Sequence, residues 1–162
     1  MRRVALGAVL LLIAFGANAA DPIYLDELME TPLAKLQATF PQLTKEGCYR
    51  VAENRYVLIT IEKKDQKPWR VVLASEPPCR RFETGPAIDV RERAGVELGE
   101  SQIEVVKKMG SPEMSAQADK DNKRFGDWEF FYICKVSADC ARHTSIYIRN
   151  GNVTAIAEWY SQ

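Results

Sequence analysis

The chain has 162 residues with 22 basic residues, 22 acidic residues and one histidine, so its formal net charge at pH 7 is zero. This length is enough for one ordinary domain or for two small ones packed together. Acidic side chains flank each short run of basic ones, and this balance argues against a nucleic-acid partner or an anionic membrane surface.

Residues 1–20 have the pattern of a secretory signal peptide. Arg2 and Arg3 form a basic start, residues 4–15 form an apolar run, and residues 17–19 supply a small-residue cleavage site. The apolar run is shorter than the roughly 20 residues that a membrane-spanning helix needs. No cysteine follows the cleavage site, so a lipid anchor is not expected. We therefore expect a soluble periplasmic or secreted protein.

Residues 21–84 are predicted to form a first repeat that begins with two short helices. An apolar stripe at residues 25–29 indicates the first helix. Thr31 and Pro32 indicate the start of the second helix, with the threonine hydroxyl as its cap and the proline in its first position. Apolar residues spaced i, i+3 and i+7 over residues 33–40 give this helix one buried face.

The period then changes to that of strands. Residues 56–61 and 69–74 are apolar and rich in β-branched side chains, and a polar turn at residues 63–68 separates them, which predicts a hairpin. Residues 79–83 are predicted to add a short edge strand. Residues 85–94 open with Gly-Pro and are highly charged, so we interpret them as the connector between two halves.

The stretch from Gly95 to Pro112 predicts the helix that opens the second repeat, residues 95–162. Ser101 is its expected hydroxyl cap, and the apolar residues within 103–109 have helical spacing. Gly110, followed two residues later by proline, is a typical stop signal.

Strand patterns follow this helix to the end of the chain. We predict one weak strand within residues 114–123, an aromatic strand within residues 124–135 and an alternating strand over residues 144–149. Asn150-Gly151 is the strongest two-residue hairpin turn in the chain, and residues 152–160 form the returning strand.

The two halves follow the same plan. An offset of 69 residues aligns Leu36 with Val105 and Phe40 with Met109. We therefore predict an α+β fold built as a tandem repeat, in which each repeat has a helix-helix unit followed by a three- or four-stranded antiparallel sheet, with the helices on one sheet face. Chance similarity between two amphipathic helices is the competing interpretation.

The four cysteines are Cys48, Cys79, Cys134 and Cys140. An even number of cysteines in an exported chain indicates disulfide bonds. Three pairings exist, and we favour Cys48–Cys79 with Cys134–Cys140, because each bond then stays within one half. A redox pair or a metal site is the alternative, but neither pair has C-x-x-C spacing and His143 is not an obvious co-ligand.

Enzyme signatures are scarce in this chain. It contains no G-x-S-x-G, no H-E-x-x-H and no glycine-rich phosphate loop. Asp119-x-Asp121-Asn122 resembles the start of a calcium loop but has arginine where that loop needs glycine, so we interpret it as a solvated turn. We therefore expect a protein that is not an enzyme and needs no cofactor or metal.

Aromatic side chains are the better candidates for a functional surface. Tryptophan and tyrosine dominate binding hot spots because they bury a large area with few rotatable bonds. A sheet with helices on one face leaves its other face free to meet a partner. The candidate partner-binding residues are Trp69, Trp128, Tyr132, Trp159 and Tyr160. For each of them, packing in the core is an equally good interpretation.

The second half also carries a series of motifs in a fixed order. These are Gly99-x-Ser101-x3-Val105-x4-Gly110-x-Pro112, an aromatic strand with Trp128 and Tyr132, and Ile146-x-Ile148-x2-Gly151-x-Val153-x2-Ile156. In order and spacing they resemble the small α/β module of the SmpA/OmlA envelope proteins and each half of the β-lactamase inhibitor proteins of the BLIP type. The resemblance covers residues 95–160 directly and residues 24–84 through the internal repeat.

This resemblance implies two helices on one face of an antiparallel sheet and, in the tandem inhibitors, a concave sheet surface that grips a partner. SmpA/OmlA proteins are lipoproteins that support outer-membrane protein assembly, and this sequence departs from them because it lacks the lipid-bearing cysteine. One disulfide per half is closer to the tandem inhibitors.

Three hypotheses for function follow. The first is a monomeric exported module that recognises, and inhibits or assists, another exported or envelope protein through sheet-borne aromatics. The second is a periplasmic carrier of a small apolar or lipid-like ligand between helix and sheet, which an enclosed apolar pocket of about 300 Å³ or more would favour. The third is a hydrolase, which requires His143 in a cleft beside a carboxylate.

Overall fold

The computed structural model describes residues 21–133 and 141–161. The helices in these ranges are α1 (Leu25–Glu30), α2 (Leu33–Thr39) and α3 (Gln102–Met109). The strands, in chain order, are β1 (Ile23–Tyr24), β2 (Glu46–Ala52), β3 (Arg55–Ile61), β4 (Pro68–Ala74), β5 (Glu83–Thr84), β6 (Val90–Arg91), β7 (Met114–Gln117), β8 (Trp128–Ile133), β9 (Arg142–Arg149) and β10 (Asn152–Tyr160).

Helix α3 begins and ends at the residues that the sequence predicts. The Ser101 hydroxyl accepts a hydrogen bond from the backbone N–H of Glu104 at 3.3 Å, and the Glu104 carboxylate accepts one from the backbone N–H of Ser101 at 3.1 Å. This reciprocal pair is a capping box, which satisfies two N–H groups that the helix itself leaves without partners. Gly110 ends the helix with φ +81°, a conformation that favours glycine.

The predicted cap of α2 is wrong by one residue. Pro32, not Thr31, occupies the cap position, and it makes no side-chain cap hydrogen bond. The Thr31 hydroxyl instead donates to the backbone carbonyl of Glu27 at 2.6 Å. Since α1 ends only one residue before Thr31, this hydroxyl satisfies a free carbonyl at the end of α1 rather than a free N–H at the start of α2.

One sheet of eight strands joins the two halves, in the order β5-β2-β3-β4-β10-β9-β8-β7. Strands β2–β4 and β8–β10 are each antiparallel meanders, and they meet where β4 pairs with β10 in antiparallel register, with Leu73 opposite Ile156. The predicted hairpin of β3 with β4 and the Asn150-Gly151 turn between β9 and β10 are confirmed.

Two parts of the predicted fold are corrected by the structure. The sheet is mixed, because the edge strand β5 pairs with β2 in parallel rather than antiparallel. The connection over residues 75–82 returns the chain from the end of β4 to the edge of the sheet beside β2. Strand β5 therefore runs beside β2 in the same direction as β2. The second half has one helix in its described part instead of a helix pair, because residues 94–100 form turns and extended backbone, with Gly95 and Gly99 at positive φ.

The predicted connector, residues 85–94, packs into the body of the protein. Its strand β6 pairs in parallel with β1, with Val90 opposite Ile23. Val90 and Glu92 are both buried. The connector is therefore a structural element that ties the start of the first half to the start of the second.

Buried side chains form one cluster on each face of the sheet. The helix-side core contains Leu28, Leu36, Val57, Ile146 and Ile156 among others. A smaller cluster on the opposite face, which we call the helix-free face, consists of Cys48, Leu58, Val72, Ala74, Phe125, Tyr147, Ala155 and Ala157. Segments over residues 75–82 and 118–127 cover part of that face.

No helix in the described ranges is both long enough and apolar enough to cross a lipid bilayer.

Candidate functional site

The five candidate aromatics do not form one surface. Trp159 lies on the helix-free face, and Trp69 lines a cavity together with it. Trp128 and Tyr160 lie on the helix side, where Trp128 is 47% exposed and the Tyr160 hydroxyl is hydrogen-bonded to Glu30. Tyr132 has to be removed from the candidates.

Tyr132 is a core residue with no exposed surface. It packs in the helix-side core, and its hydroxyl donates a hydrogen bond to the backbone carbonyl of Gly110 at 3.3 Å. Burial raises the pKa of Tyr132 to about 12, so it remains protonated and keeps this bond at physiological pH. Its role is to hold the end of α3 against β8.

A β-bulge in β4 lies at Trp69, which lines one cavity with Trp159 and another with Glu30 and Tyr160. Thr60 pairs with Arg70, but the next residue, Ile61, pairs with Pro68, so Trp69 is an extra residue in its strand. Strict alternation would place Trp69 beneath the helices, on the same face as Val71. A bulge departs from this alternation, and Trp69 lines the cavity of Arg70 as well as the one beside Tyr160.

The Trp159 indole is held from three sides. Its Nε1 donates a hydrogen bond to the Ser145 hydroxyl at 3.0 Å. The His143 ring lies with its centroid 4.8 Å away and the Phe131 ring 5.6 Å away. These contacts fix the orientation of Trp159 before any ligand or partner arrives, which lowers the entropy cost of binding.

Polar side chains line the same cavity as Trp69 and Trp159. The Arg70 guanidinium donates through Nη2 to Asn122 Oδ1 at 2.8 Å and to the Tyr147 hydroxyl at 3.1 Å. The Tyr147 hydroxyl in turn donates to Glu129 Oε1 at 3.3 Å. Burial raises the pKa of Tyr147, which keeps the phenol neutral and available as a donor.

The segment before β8 holds Asn122 in place at the cavity. The Asp119 carboxylate accepts hydrogen bonds from the backbone N–H groups of Asp121 and Asn122 at 2.9 and 2.8 Å, which confirms the turn predicted there. Gly126 lies so close to β9 that a Cβ atom would come within 2.9 Å of the backbone nitrogen of Ile148. Only glycine allows this approach.

Several of these residues line a partly open cavity of about 210 Å³, which we call the indole pocket. Its lining residues are Trp69, Arg70, Asn122, Glu129, Tyr147 and Trp159. The sequence prediction includes both tryptophans but none of the four polar residues. The alternation of β9 already separates Tyr147 from Ile146 and Ile148, but nothing in the sequence indicates that Asn122 reaches the same point.

His143 is packed between aromatic rings. Its ring centroid is 5.2 Å from that of Phe131, and its Nδ1 has no hydrogen-bond partner among the described residues. The hydrolase hypothesis requires a carboxylate beside this imidazole to orient it. The contacts that surround His143 are those of a packed aromatic surface instead.

Cys48 and Cys79, the first predicted disulfide pair, are neighbours in the fold. The structure has them as thiols that hydrogen-bond to each other, Cys48 buried and Cys79 partly exposed. The bond from Cys48 lowers the pKa of Cys79, while the pKa of Cys48 is raised by the same contact and by burial. The disulfide stays a prediction. Cys134 and Cys140 lie outside the described residues.

An apolar groove of about 520 Å³ lies on the helix side, between α3 and β8. Ile103 and Val106 line it from the helix, and Trp128 and Phe130 line it from the strand. Ile103 is 74% exposed. This groove is separate from the indole pocket, because the sheet lies between them.

A buried group of charges lies beneath α1. Glu158 on β10 is fully buried, and its carboxylate is 3.2 Å from Nε of Arg142 on β9. Asp26 and Glu30 on α1 lie 3.9 and 3.5 Å from the same guanidinium. Burial raises the pKa of Glu158 to about 8, although Arg142 acts in the opposite direction.

Comparisons with known proteins assign no family to this chain. No family model matches it, and no match is found among curated proteins or among solved structures. Function therefore has to be argued from the geometry of the surface and its cavities.

Proposed function

We propose that this protein is an exported binding module that recognises another exported or envelope protein through aromatic side chains on the helix-free face. One observation carries the proposal. Phe131, His143 and Trp159 form a ring cluster with centroid distances of 4.8–5.6 Å, on the sheet face that none of the described helices covers.

Exposed apolar residues continue this cluster toward the edge of the sheet. Met114 pairs across strands with Phe131, and Ile133 pairs with His143, so all of them share one face. Met114 is 49% exposed and Ile133 is 37% exposed. Adjacent exposed apolar side chains around a fixed tryptophan are typical of a protein-binding surface.

The aromatic patch is defined by Met114, Phe131, Ile133, His143 and Trp159. It contains no basic cluster, which fits a protein partner better than a nucleic acid. The module acts as a monomer, and the partner either is inhibited by the contact or is assisted by it. Localisation in the periplasm or outside the cell follows from the expected signal peptide.

Affinity capture from an envelope extract tests this proposal. The purified mature chain and its Trp159→Ala variant are compared, with Trp128→Ala as the matched control, because Trp128 is an exposed tryptophan on the other sheet face. We expect the same partner to be recovered by the wild type and by Trp128→Ala and to be lost with Trp159→Ala. Circular dichroism verifies that each variant is folded.

Recovery of the same partner by all three proteins would show that the aromatic patch is not the binding surface. Loss of the partner with Trp128→Ala alone would assign binding to the groove between α3 and β8 instead. Either result contradicts the proposal.

The carrier function is the second candidate, and the groove between α3 and β8 is the observation that favours it. Its volume of about 520 Å³ falls in the range of small-molecule sites, about 300–1,000 Å³. A fluorescent fatty acid serves as the probe. A carrier would bind it saturably and lose it in a Val106→Asp variant, whereas Ile133→Asp, on the other face, would leave binding unchanged.

A further inference from the structure

The indole pocket is small enough to limit what it holds. Pockets for drug-sized ligands measure about 300–1,000 Å³. The indole pocket measures about 210 Å³, so it accommodates one ring or one side chain rather than a dinucleotide or an acyl chain. It is also pre-formed, because hydrogen bonds within the protein hold Arg70, Tyr147 and Trp159 in place.

The charges of the pocket select against ions. Arg70 and Glu129 are the two charged residues of its lining, and they have opposite signs. Within the described chain, Arg70 has no carboxylate at ion-pair distance; its hydrogen bonds go to the neutral side chains of Asn122 and Tyr147. The two charges offset each other, so a charged ligand would lose its hydration without a net opposite charge to compensate, and a neutral ligand is favoured.

The polar groups also require a ligand that both donates and accepts. The Arg70 guanidinium has donors only. The Glu129 carboxylate has acceptors only. A purely apolar ligand would cover the Arg70 guanidinium and the Glu129 carboxylate without replacing their hydrogen bonds to water, which costs free energy.

The two indoles add the last requirement. Trp69 and Trp159 both line the pocket. Indole rings are flat and apolar, and they pack best against another flat or C–H-rich face. A sugar ring combines such a face with hydroxyl groups that donate and accept at its rim. We propose that the indole pocket binds one neutral sugar ring, with its C–H face against an indole and its hydroxyl groups on Arg70 and Glu129.

Titration of tryptophan fluorescence in the mature chain tests this proposal. The neutral probes are methyl β-glucoside, N-acetylglucosamine and maltose; glucosamine and glucuronate are their cationic and anionic counterparts, and phenol represents a neutral aromatic ligand. We expect a saturable change with at least one neutral sugar and weaker binding of both charged sugars. Trp128→Ala, outside the pocket, leaves the affinity unchanged.

Two variants within the pocket make the test specific. Trp159→Ala weakens binding of the neutral sugar by about tenfold, the scale of one lost aromatic contact. Glu129→Gln keeps the shape of the pocket and removes its negative charge. It therefore weakens the neutral sugar and strengthens glucuronate, and this change of preference is observable even if Trp159→Ala does not fold.

Three results would overturn the proposal. These are the absence of saturation with every neutral sugar, sugar binding that survives both Trp159→Ala and Glu129→Gln, and saturation by phenol without saturation by sugars. Because no partner protein takes part in the titration, its outcome is independent of the proposed protein-binding function.

Discussion

Glu158 is the residue whose ionisation bears most directly on stability. Its carboxylate is fully buried beside Arg142, and Asp26 and Glu92 are negative neighbours that disfavour its charged form. Arg93 acts in the opposite direction together with Arg142. Burial and the two acids prevail, and the pKa of Glu158 rises to about 8.

We therefore predict that Glu158 makes the protein less stable as the pH rises from 5 to 8. The folded state binds the Glu158 proton more tightly than the unfolded state, whose pKa is near 4.5. The contribution is complete below the unfolded pKa and is lost as the pH rises through the folded pKa, with a slope of up to about 1.4 kcal/mol per pH unit.

Urea unfolding at several pH values measures this slope. Glu158→Gln should flatten the dependence between pH 5 and pH 8, since a carboxamide does not titrate there. The control variant Glu97→Gln, at an exposed site, should leave this pH dependence unchanged. A wild-type profile that rises with pH and is unaffected by Glu158→Gln would contradict the prediction.

At the scale of elements, the contact between Cys48 in β2 and Cys79 in the connection after β4 is the feature with the clearest chemical consequence. Cys79 is partly exposed and has the lowered pKa, so it ionises first. A thiolate is the nucleophile in disulfide exchange. In an oxidising compartment, the Cys79 thiolate would attack a donor disulfide and displace one donor thiol, giving a mixed disulfide. Cys48 would then attack the Cys79 sulfur and release the second thiol of the donor, which is thereby reduced.

We predict that the protein forms the Cys48–Cys79 disulfide in an oxidising compartment and that the bond stabilises it by about 3–4 kcal/mol on the chain-entropy model. Peptide mapping without reductant identifies the bond. Reductant should lower the urea midpoint of the wild type further than that of a Cys48→Ser/Cys79→Ser variant. Alkylation of both thiols in the unreduced, unfolded protein would disprove the bond.

Local signals explain which elements could be predicted from sequence. Ser101 and Gly110 mark the ends of α3, because capping interactions act within one helical turn. Asn150-Gly151 marks the β9–β10 hairpin, because this type of turn needs positive φ at both residues, which are at +52° and +80°. The bulge at Trp69 has no such signal, since it depends on how β3 and β4 align.

The indole pocket was harder to predict for a related reason. Trp69 and Trp159 are candidates for binding by residue type alone. Asn122 reaches the pocket only because Gly126 lets the preceding segment lie against β9. Such contacts join residues far apart in sequence and leave no periodic pattern.

At the scale of the whole molecule, the junction of β4 with β10 makes the two halves dependent on each other. Val71, Val72 and Leu73 in β4 are buried, and β10 supplies the neighbouring strand along this segment. Without β10, the β4 edge would expose its backbone hydrogen-bonding groups and this apolar surface.

We predict that residues 21–84 do not fold cooperatively when produced alone. The isolated half would lose the β10 side of its sheet and its contact of α1 with the second half. The chemical-shift dispersion in proton NMR spectra and the cooperativity of urea unfolding measure whether the isolated half folds, with residues 21–162 as the reference. A dispersed spectrum and a sigmoidal transition in the isolated half would show that it is an autonomous repeat.

The pairing of β4 with β10 also sets the order in which the chain can fold. The middle of the sheet can close only when Leu73 pairs with Ile156, which lies 83 residues later in the chain. Contacts of such long range form slowly, because the intervening chain must be ordered first. A polypeptide threaded through a membrane from its N-terminus would therefore remain unfolded until nearly all of it has passed, and the strand that completes the sheet would be among the last segments to emerge.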